Sequence, residues 1–124
     1  MTTRGKGARL KGANFERYLA NYIKEHTPLE AARGLAQTRG GGAEVSDVSV
    51  DYIHIEAKRH KRNNIKAAMV QAINDSTAND KIPVVITKDD RKPILCTMLL
   101  DDWLKFFNAY IKVRKYLEEF TYVS

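Results

Sequence analysis

Residues 45–58 have the sequence VSDVSVDYIHIEAK, which predicts two strands joined by a tight turn at its centre. Successive side chains of a strand point to opposite faces of its sheet, so Ile53, Ile55 and Ala57 are expected on one face. The opposite face of the second strand then carries three polar side chains: His54, Glu56 and Lys58. We expect the rest of the chain to be arranged around this hairpin.

The flanking segments predict an α/β protein. Apolar residues recur at helical spacing before the hairpin, and dense apolar runs after it are typical of buried strands. The predicted elements are a helix from Phe15 to Thr27, a short strand over 32–38, the two hairpin strands, a helix after Asn63-Asn64, strands over 82–87 and 94–98, and a helix that begins at Asp101 or Asp102. The order is therefore α-β-β-β-α-β-β-α, a central mixed five-stranded sheet flanked by helices.

Length and composition set the class of protein. The chain has 124 residues, of which 44% are hydrophobic and 29% charged, which fits one folded domain. Glycines among basic residues predict a flexible basic arm over 1–12, and we assign a single domain to 13–124. No apolar run is long enough to cross a bilayer, no secretory signal precedes the domain, and one cysteine cannot form an internal disulfide. We therefore expect no membrane partner and a cytoplasmic location.

The charge distribution suggests a polyanionic partner. Lysine and arginine number 21 against 15 acids, a net charge of +6 with a pI near 9.5. Two stretches, 1–15 and 57–74, contain basic residues and no acid. Clustered cations attract phosphates and gain affinity by releasing counterions from nucleic acid. A solvated basic face without a ligand is the alternative interpretation of the same charges.

Two carboxylates of the hairpin are candidates for a metal site. With a turn at Val50-Asp51, Asp47 pairs with His54 and lies diagonal to Glu56; in a register moved by a full pleat, Asp47 faces Glu56 directly. Both registers place the two carboxylates on one face. Adjacent carboxylates repel, and a divalent cation with a preference for oxygen ligands, Mg²⁺ or Mn²⁺, relieves that repulsion.

Three further groups extend this candidate site. Lys58 projects from the same face as Glu56, where it can orient an attacking water or hold a phosphate. The backbone carbonyl of Ala57 is an additional candidate ligand. Glu16 lies at the border of the apolar stripe of the first helix, from which a carboxylate can reach over the sheet. An exposed polar strand face with an ordinary Glu–Lys pair is the alternative.

An acid on the first helix, an aspartate before a short hairpin, Glu-x-Lys and a basic helix start together resemble the PD-(D/E)XK nucleases. More narrowly, the chain resembles the small Holliday junction resolvases of archaea and their bacteriophage relatives. The matching segments are 46–48, 53–59, Gln71-Ala72, 82–86 and 100–104. The resemblance spans about 12–107, nearly the whole chain.

The resemblance implies a restriction-endonuclease-like fold and a metal-dependent endonuclease of DNA recombination and repair, located in the host cytoplasm if phage-encoded. It implies Mg²⁺, with Mn²⁺ as a substitute, held by Asp47 and Glu56, with Lys58 as catalytic lysine and Glu16 as an additional acid. Ser46 stands where the family has proline. The short spacing leaves Asp51 as an alternative motif aspartate, but it falls in the turn and points away from the site.

A resolvase must cut two strands related by two-fold symmetry, so a homodimer bound to a four-way junction is expected. The residues that we expect to contact DNA are Arg9, Lys11, Arg33, Arg39, Arg59, Lys61 and Arg62. Gln71 and His54 are candidates for supporting contacts to the site. The aromatic residues of the last helix suggest helix-mediated self-association, although packing into the core is the default expectation for the first half of that helix. The alternative functions are a related nuclease for repair or restriction-like cleavage, and a basic DNA-binding module without activity.

Overall fold

The structure is a computed structural model that describes residues 3–34 and 46–123. Its elements are α1 (Thr3–His26), β1 (Ala32–Arg33), β2 (Val48–Ser49), β3 (Ile53–Arg59), α2 (Ile65–Ser76), β4 (Ile82–Lys88), β5 (Leu95–Thr97) and α3 (Leu100–Val123). This order confirms the predicted α-β-β-β-α-β-β-α sequence of elements.

The five strands form one mixed sheet in the order β1-β2-β3-β4-β5. β3 and β4 are parallel, whereas the other three neighbouring pairs are antiparallel. Two adjacent parallel strands need a crossover connection, and α2 provides it. The α/β class and the mixed five-stranded sheet flanked by helices are therefore confirmed.

Helices cover both faces of the central strand β3. On one face Phe15 and Leu19 of α1 belong to the same buried cluster as Ile55 and Ala57. On the other face, α2 and β4 form a second buried cluster: Ala68, Met69, Ala72 and Val85. Because both faces are covered, His54 and Glu56 are buried at 0% and 3% exposure. The face of β3 that carries them is not an exposed polar surface.

The β2–β3 hairpin adopts the second of the two predicted registers. Val48 pairs with Ile55, as that register requires. The turn is therefore centred on Asp51-Tyr52, one residue later than the Val50-Asp51 turn considered first, and Tyr52 has a positive φ of 78°. A turn that moves by one residue moves the pairing by a full pleat, and Asp47 then lies close enough to Glu56 for its charge to raise the pKa of Glu56.

α1 begins earlier than predicted. It starts at Thr3, so the boundary between the predicted flexible arm 1–12 and the domain 13–124 falls inside one helix. Each helical glycine costs about 1 kcal/mol relative to alanine, but alanine, leucine, lysine and arginine, which favour helix, separate the glycines here. β1 is also shorter than predicted, and positions 35–38 of that predicted strand lie outside the described residues.

Two glycines give a matched test of this packing. The N–H of Gly34 donates to the carbonyl oxygen of Asp47 at 2.8 Å, and a Cβ at Gly34 would collide with the carbonyl oxygen of Ser46. Outside the backbone of α1 itself, no atom of the described residues lies within 4 Å of a Cβ built at Gly12. We expect Gly34→Ala to lower the free energy of unfolding by about 1–3 kcal/mol, because the backbone beside Asp47 must move.

Gly12→Ala is the control, and it should raise the free energy of unfolding by up to about 1 kcal/mol, since alanine favours helix. Urea titration of both variants measures the two effects. A Gly34→Ala variant as stable as wild type would contradict the close approach of the two backbone segments.

Candidate metal centre

Glu56 is the buried centre of the polar cluster on β3. Its side chain is 4% exposed, and Lys58 Nζ lies 3.4 Å from its Oε2. Burial, and next the negative charge of Asp47, raise the pKa of Glu56 to about 7, while the charge of Lys58 acts in the opposite direction. Without a further cation, therefore, the site holds one carboxylate that ionises reluctantly.

Asp47 is fixed by its own backbone and by its side chain. Its N–H donates to the carbonyl oxygen of Ile55 at 2.9 Å, and its carbonyl oxygen accepts from Gly34. Its side-chain Oδ2 accepts a hydrogen bond of 2.8 Å from the N–H of Ala57. The carboxylate of Asp47 thus lies against the main chain between Glu56 and Lys58. The backbone carbonyl of Ala57, a predicted metal ligand, belongs to this segment.

Lys58 joins β3 to the helix that covers it. Its Nζ donates to Oε1 of Gln71 on α2 at 3.1 Å and also contacts Glu56. Lys58 and Gln71 line one groove of about 330 Å³ together with residues of the loop after β3 and the start of α2: His60, Arg62, Asn63, Asn64, Ala67 and Ala68. The sequence identified Gln71 only as a candidate for a supporting contact, and the structure places it beside the predicted catalytic lysine.

A second set of metal-ligating groups shares Glu56. One ligand atom each of His54, Glu56 and Asp75 lie within 4.8 Å of one another. His54 Nδ1 is within 3.2 Å of Asn79 Nδ2, which holds the imidazole ring. Sequence reasoning missed Asp75. The signal was present, because Asp75 follows Gln71 by four residues and side chains at that spacing lie on one helix face.

Glu16 lies on α1 but belongs to the same electrostatic environment. Arg33 Nε of β1 lies 2.7 Å from its Oε1. Burial raises the pKa of Glu16, as does the charge of Asp47, while Arg33 lowers it. Glu16 is thus close enough to Asp47 for the two charges to interact, and the Arg33 pair fixes its carboxylate.

Several cations predicted to contact DNA form ion pairs within the protein. Arg33 pairs with Glu16, and Asp90 pairs with Arg59 at 2.8 Å and with Lys11 at 3.4 Å. Arg9, Lys61 and Arg62 are exposed and have no ion pair with another described residue. Arg39 lies outside the described residues. The cations available to a ligand near the groove are thus those of the loop after β3.

No family model matches the chain, and a search of curated proteins finds no significant match. Among the described residues, no helix is both long and apolar enough to span a membrane. The function is therefore argued from the geometry of the site.

The raised pKa of Glu56 predicts a pH-dependent stability. Below its ordinary value of 4.5 the carboxyl is protonated in both states and contributes nothing. Between 4.5 and about 7 the folded protein binds more protons than the unfolded chain, so the free energy of unfolding should fall by roughly 3 kcal/mol as the pH rises. Urea titrations of the metal-free protein between pH 4.5 and 8 measure this slope.

Glu56→Gln should remove most of that pH dependence, and the remainder belongs to groups such as Glu16, whose pKa is raised as well. Glu25→Gln, which changes an exposed glutamate of α1, is the matched control and should keep the wild-type slope. If the free energy of unfolding of the Glu56→Gln variant falls with rising pH as steeply as that of the wild type, the pH dependence does not come from Glu56.

Proposed function

We propose that this protein is a metal-dependent DNA endonuclease of the restriction-endonuclease-like fold that cuts four-way junctions, as a Holliday junction resolvase. The observation that carries the proposal is the closeness of the Asp47 carboxylate, which accepts from the N–H of Ala57, to the buried Glu56, with Lys58 Nζ 3.4 Å from Glu56. The resemblance of the sequence to PD-(D/E)XK nucleases supports the same assignment.

The residues fit a divalent cation. Two carboxylates, one of them with a pKa raised partly by the other, gain from a positive ion placed between them. Oxygen donors from Asp47, Glu56 and the carbonyl of Ala57 are the ligands that Mg²⁺ and Mn²⁺ prefer. When bound there, the ion would lower the pKa of a water molecule and neutralise charge on the phosphate that is cut.

Lys58 supplies the second part of the chemistry. Its ammonium group lies beside Glu56 and is held by Gln71, so its position is set from two sides. From there it can donate a hydrogen bond to an attacking water or to a phosphate oxygen on which negative charge develops. Gln71 acts through Lys58 as a positioning residue.

The proposed DNA-binding surface extends from Lys58 to the basic loop that follows β3. The groove that Lys58 and Gln71 line continues to His60 and Arg62, and Lys61 is exposed next to them. Cations in this row suit successive phosphates of one strand, because phosphate contacts supply most of the sequence-independent affinity for DNA. The recognition proposed here is therefore of backbone shape, as a four-way junction requires.

Replacing Asp47 is the direct test of the catalytic proposal. Asp47→Asn should reduce Mg²⁺-dependent cutting of a labelled four-way junction by at least about 100-fold, because one metal ligand is lost. Binding of the junction should persist, since a negative charge near the phosphates is removed. Asp51→Asn is the matched control, because Asp51 is exposed in the turn and should be dispensable.

The Asp75→Asn variant distinguishes the two possible metal sites. One is formed by Asp47 and Glu56, and the other by His54, Glu56 and Asp75. If the ion is held by Asp47 and Glu56, Asp75→Asn retains Mn²⁺ binding, measured by calorimetry, and Asp47→Asn loses it. The reverse result would place the ion between His54, Glu56 and Asp75. A wild-type protein that binds junctions but does not cut them in Mg²⁺ or Mn²⁺ would contradict the nuclease assignment and favour a binding module.

The exposed cations predict the salt dependence of binding. The double variant Lys61→Ala, Arg62→Ala should weaken junction binding and reduce the slope of log affinity against log salt by about 1–2, since each phosphate contact contributes about 0.9. Fluorescence anisotropy over a series of salt concentrations measures both the affinity and this slope. Lys24→Ala, on the exposed last turn of α1, is the control and should keep the wild-type slope. An unchanged slope in the double variant would place the DNA elsewhere.

A further inference from the structure

The last helix of the chain has almost no buried surface. α3 has 24 residues, about 36 Å of helix. Among its side chains over 100–121, none is buried and only Asp102 and Ile111 are half-buried. Helices in water owe most of their stability to packing of an apolar face, so a helix this apolar requires a partner that the described chain does not supply.

Six exposed apolar residues of α3 form one continuous seam. They are Trp103, Phe106, Tyr110, Val113, Leu117 and Phe120. Their spacing alternates strictly between three and four residues, the 3.5-residue period with which two helices pack along each other. Each is between 45% and 64% exposed, whereas Leu104 and Phe107 beside the seam are less exposed, at 37% and 41%. The seam is therefore the part of the helix that faces away from its own domain.

The seam is complementary to itself in the antiparallel orientation. Placing Trp103 opposite the partner's Phe120 also places Phe106 opposite the partner's Leu117 and Tyr110 opposite the partner's Val113. One register thus covers all six residues in both copies, with a two-fold axis between Tyr110 and Val113. A self-complementary surface of this kind is what a symmetric homodimer requires.

The helix dipoles favour the same orientation. Two antiparallel helices place the partial positive charge of one N-terminus beside the partial negative charge of the partner's C-terminus, whereas a parallel pair places like ends together. The acidic first turns, which contain Asp101 and Asp102, then lie at opposite ends of the pair.

The area is sufficient for a stable dimer. A large side chain buries about 150–250 Å² when fully covered, so six half-exposed ones still offer on the order of 100 Å² each. Two copies together then cover roughly 1,200 Å², the lower end of the range for specific interfaces. Flanking contacts from Tyr116, which is 64% exposed beside the seam, add to this area.

We propose that α3 pairs with α3 of a second copy of this chain, antiparallel and through this seam, and that this helix pair is the homodimer interface. The inference deepens the proposed function, because paired incisions need two active sites, but its test uses no DNA.

Sedimentation equilibrium of the full chain at micromolar concentration tests the interface. The wild type should be a dimer, and Phe106→Glu, Leu117→Glu should raise the dissociation constant by about 100-fold or more, because the introduced carboxylates face one another across the pair. Asn108→Glu, Lys115→Gln changes the net charge by the same −2 on the opposite side of α3 and should remain a dimer. A wild-type monomer, or a seam variant that stays dimeric, overturns the proposal.

If circular dichroism shows that the doubly charged variant does not fold, Val113→Lys replaces it, since it introduces a charge beside the two-fold axis. Val113→Lys should also weaken the dimer, and an unchanged dissociation constant overturns the proposal in the same way.

Spin labels test the orientation. In a Cys96→Ser background, which removes the exposed native thiol, Asp101→Cys carries the label outside the seam. The antiparallel register separates the two labelled positions by 21 residues of helix, about 30 Å along the axis. A parallel pair would place them on neighbouring helices whose axes lie about 8–10 Å apart, and that result overturns the antiparallel arrangement.

The outcomes for interface and activity are distinguishable. A dimer of this form that neither binds nor cuts junctions contradicts the proposed function and supports the interface. A monomer that cuts junctions supports the function and overturns the interface.

Discussion

The enclosure of Glu56 opposite Asp47 is the constraint on which the arrangement of the site depends. β3 is covered by α1 on one face and by α2 on the other, so a carboxylate on this strand loses its solvent whichever way it points. Its partner across the hairpin carries a second carboxylate. A fold optimised for stability alone would place apolar side chains at these positions, since buried like charges are costly. A cation bound between the two carboxylates would offset this cost, because it removes the repulsion between them.

The same enclosure explains why the polar groups around Glu56 are so well fixed. Asp47 is held by backbone hydrogen bonds and by the N–H of Ala57. Lys58 is held between Glu56 and Gln71, and Glu16 by Arg33. These bonds join the hairpin and α2 to β3, and α1 to the edge strand β1, so the contacts that fix the site also hold elements of the fold together. An ordered set of charges before any ligand binds is what electrostatic catalysis requires.

Much of the fold could be predicted from the sequence because its signals are local. Alternation over Ile53 to Lys58, helical spacing from Phe15 to Ile23 and the dense apolar run of β4 identify their elements directly. The sequence does not decide the hairpin register, because the turn residue Tyr52 adopts a positive φ, which is uncommon for a bulky side chain. Contacts between distant segments were not accessible either. The pairing of Arg59 with Asp90 joins residues 31 apart, and no sequence period links them.

Helix α2 connects the stability of the domain to the geometry of the site. One side of it buries Ala68 and Ala72 against the sheet, and Gln71 and Asp75 lie beside the polar face of β3. Alanine at these contact positions lets the helix axis approach the sheet closely enough for Gln71 Oε1 to lie 3.1 Å from Lys58 Nζ. A larger side chain at Ala72, which is fully buried, would push the helix outward by the thickness of the added atoms. Since N–H···O hydrogen bonds lie within about 2.7–3.2 Å, that displacement would stretch the bond between Lys58 and Gln71 beyond this range. The small residues of α2 thus set the position of the lysine as much as they fill the core.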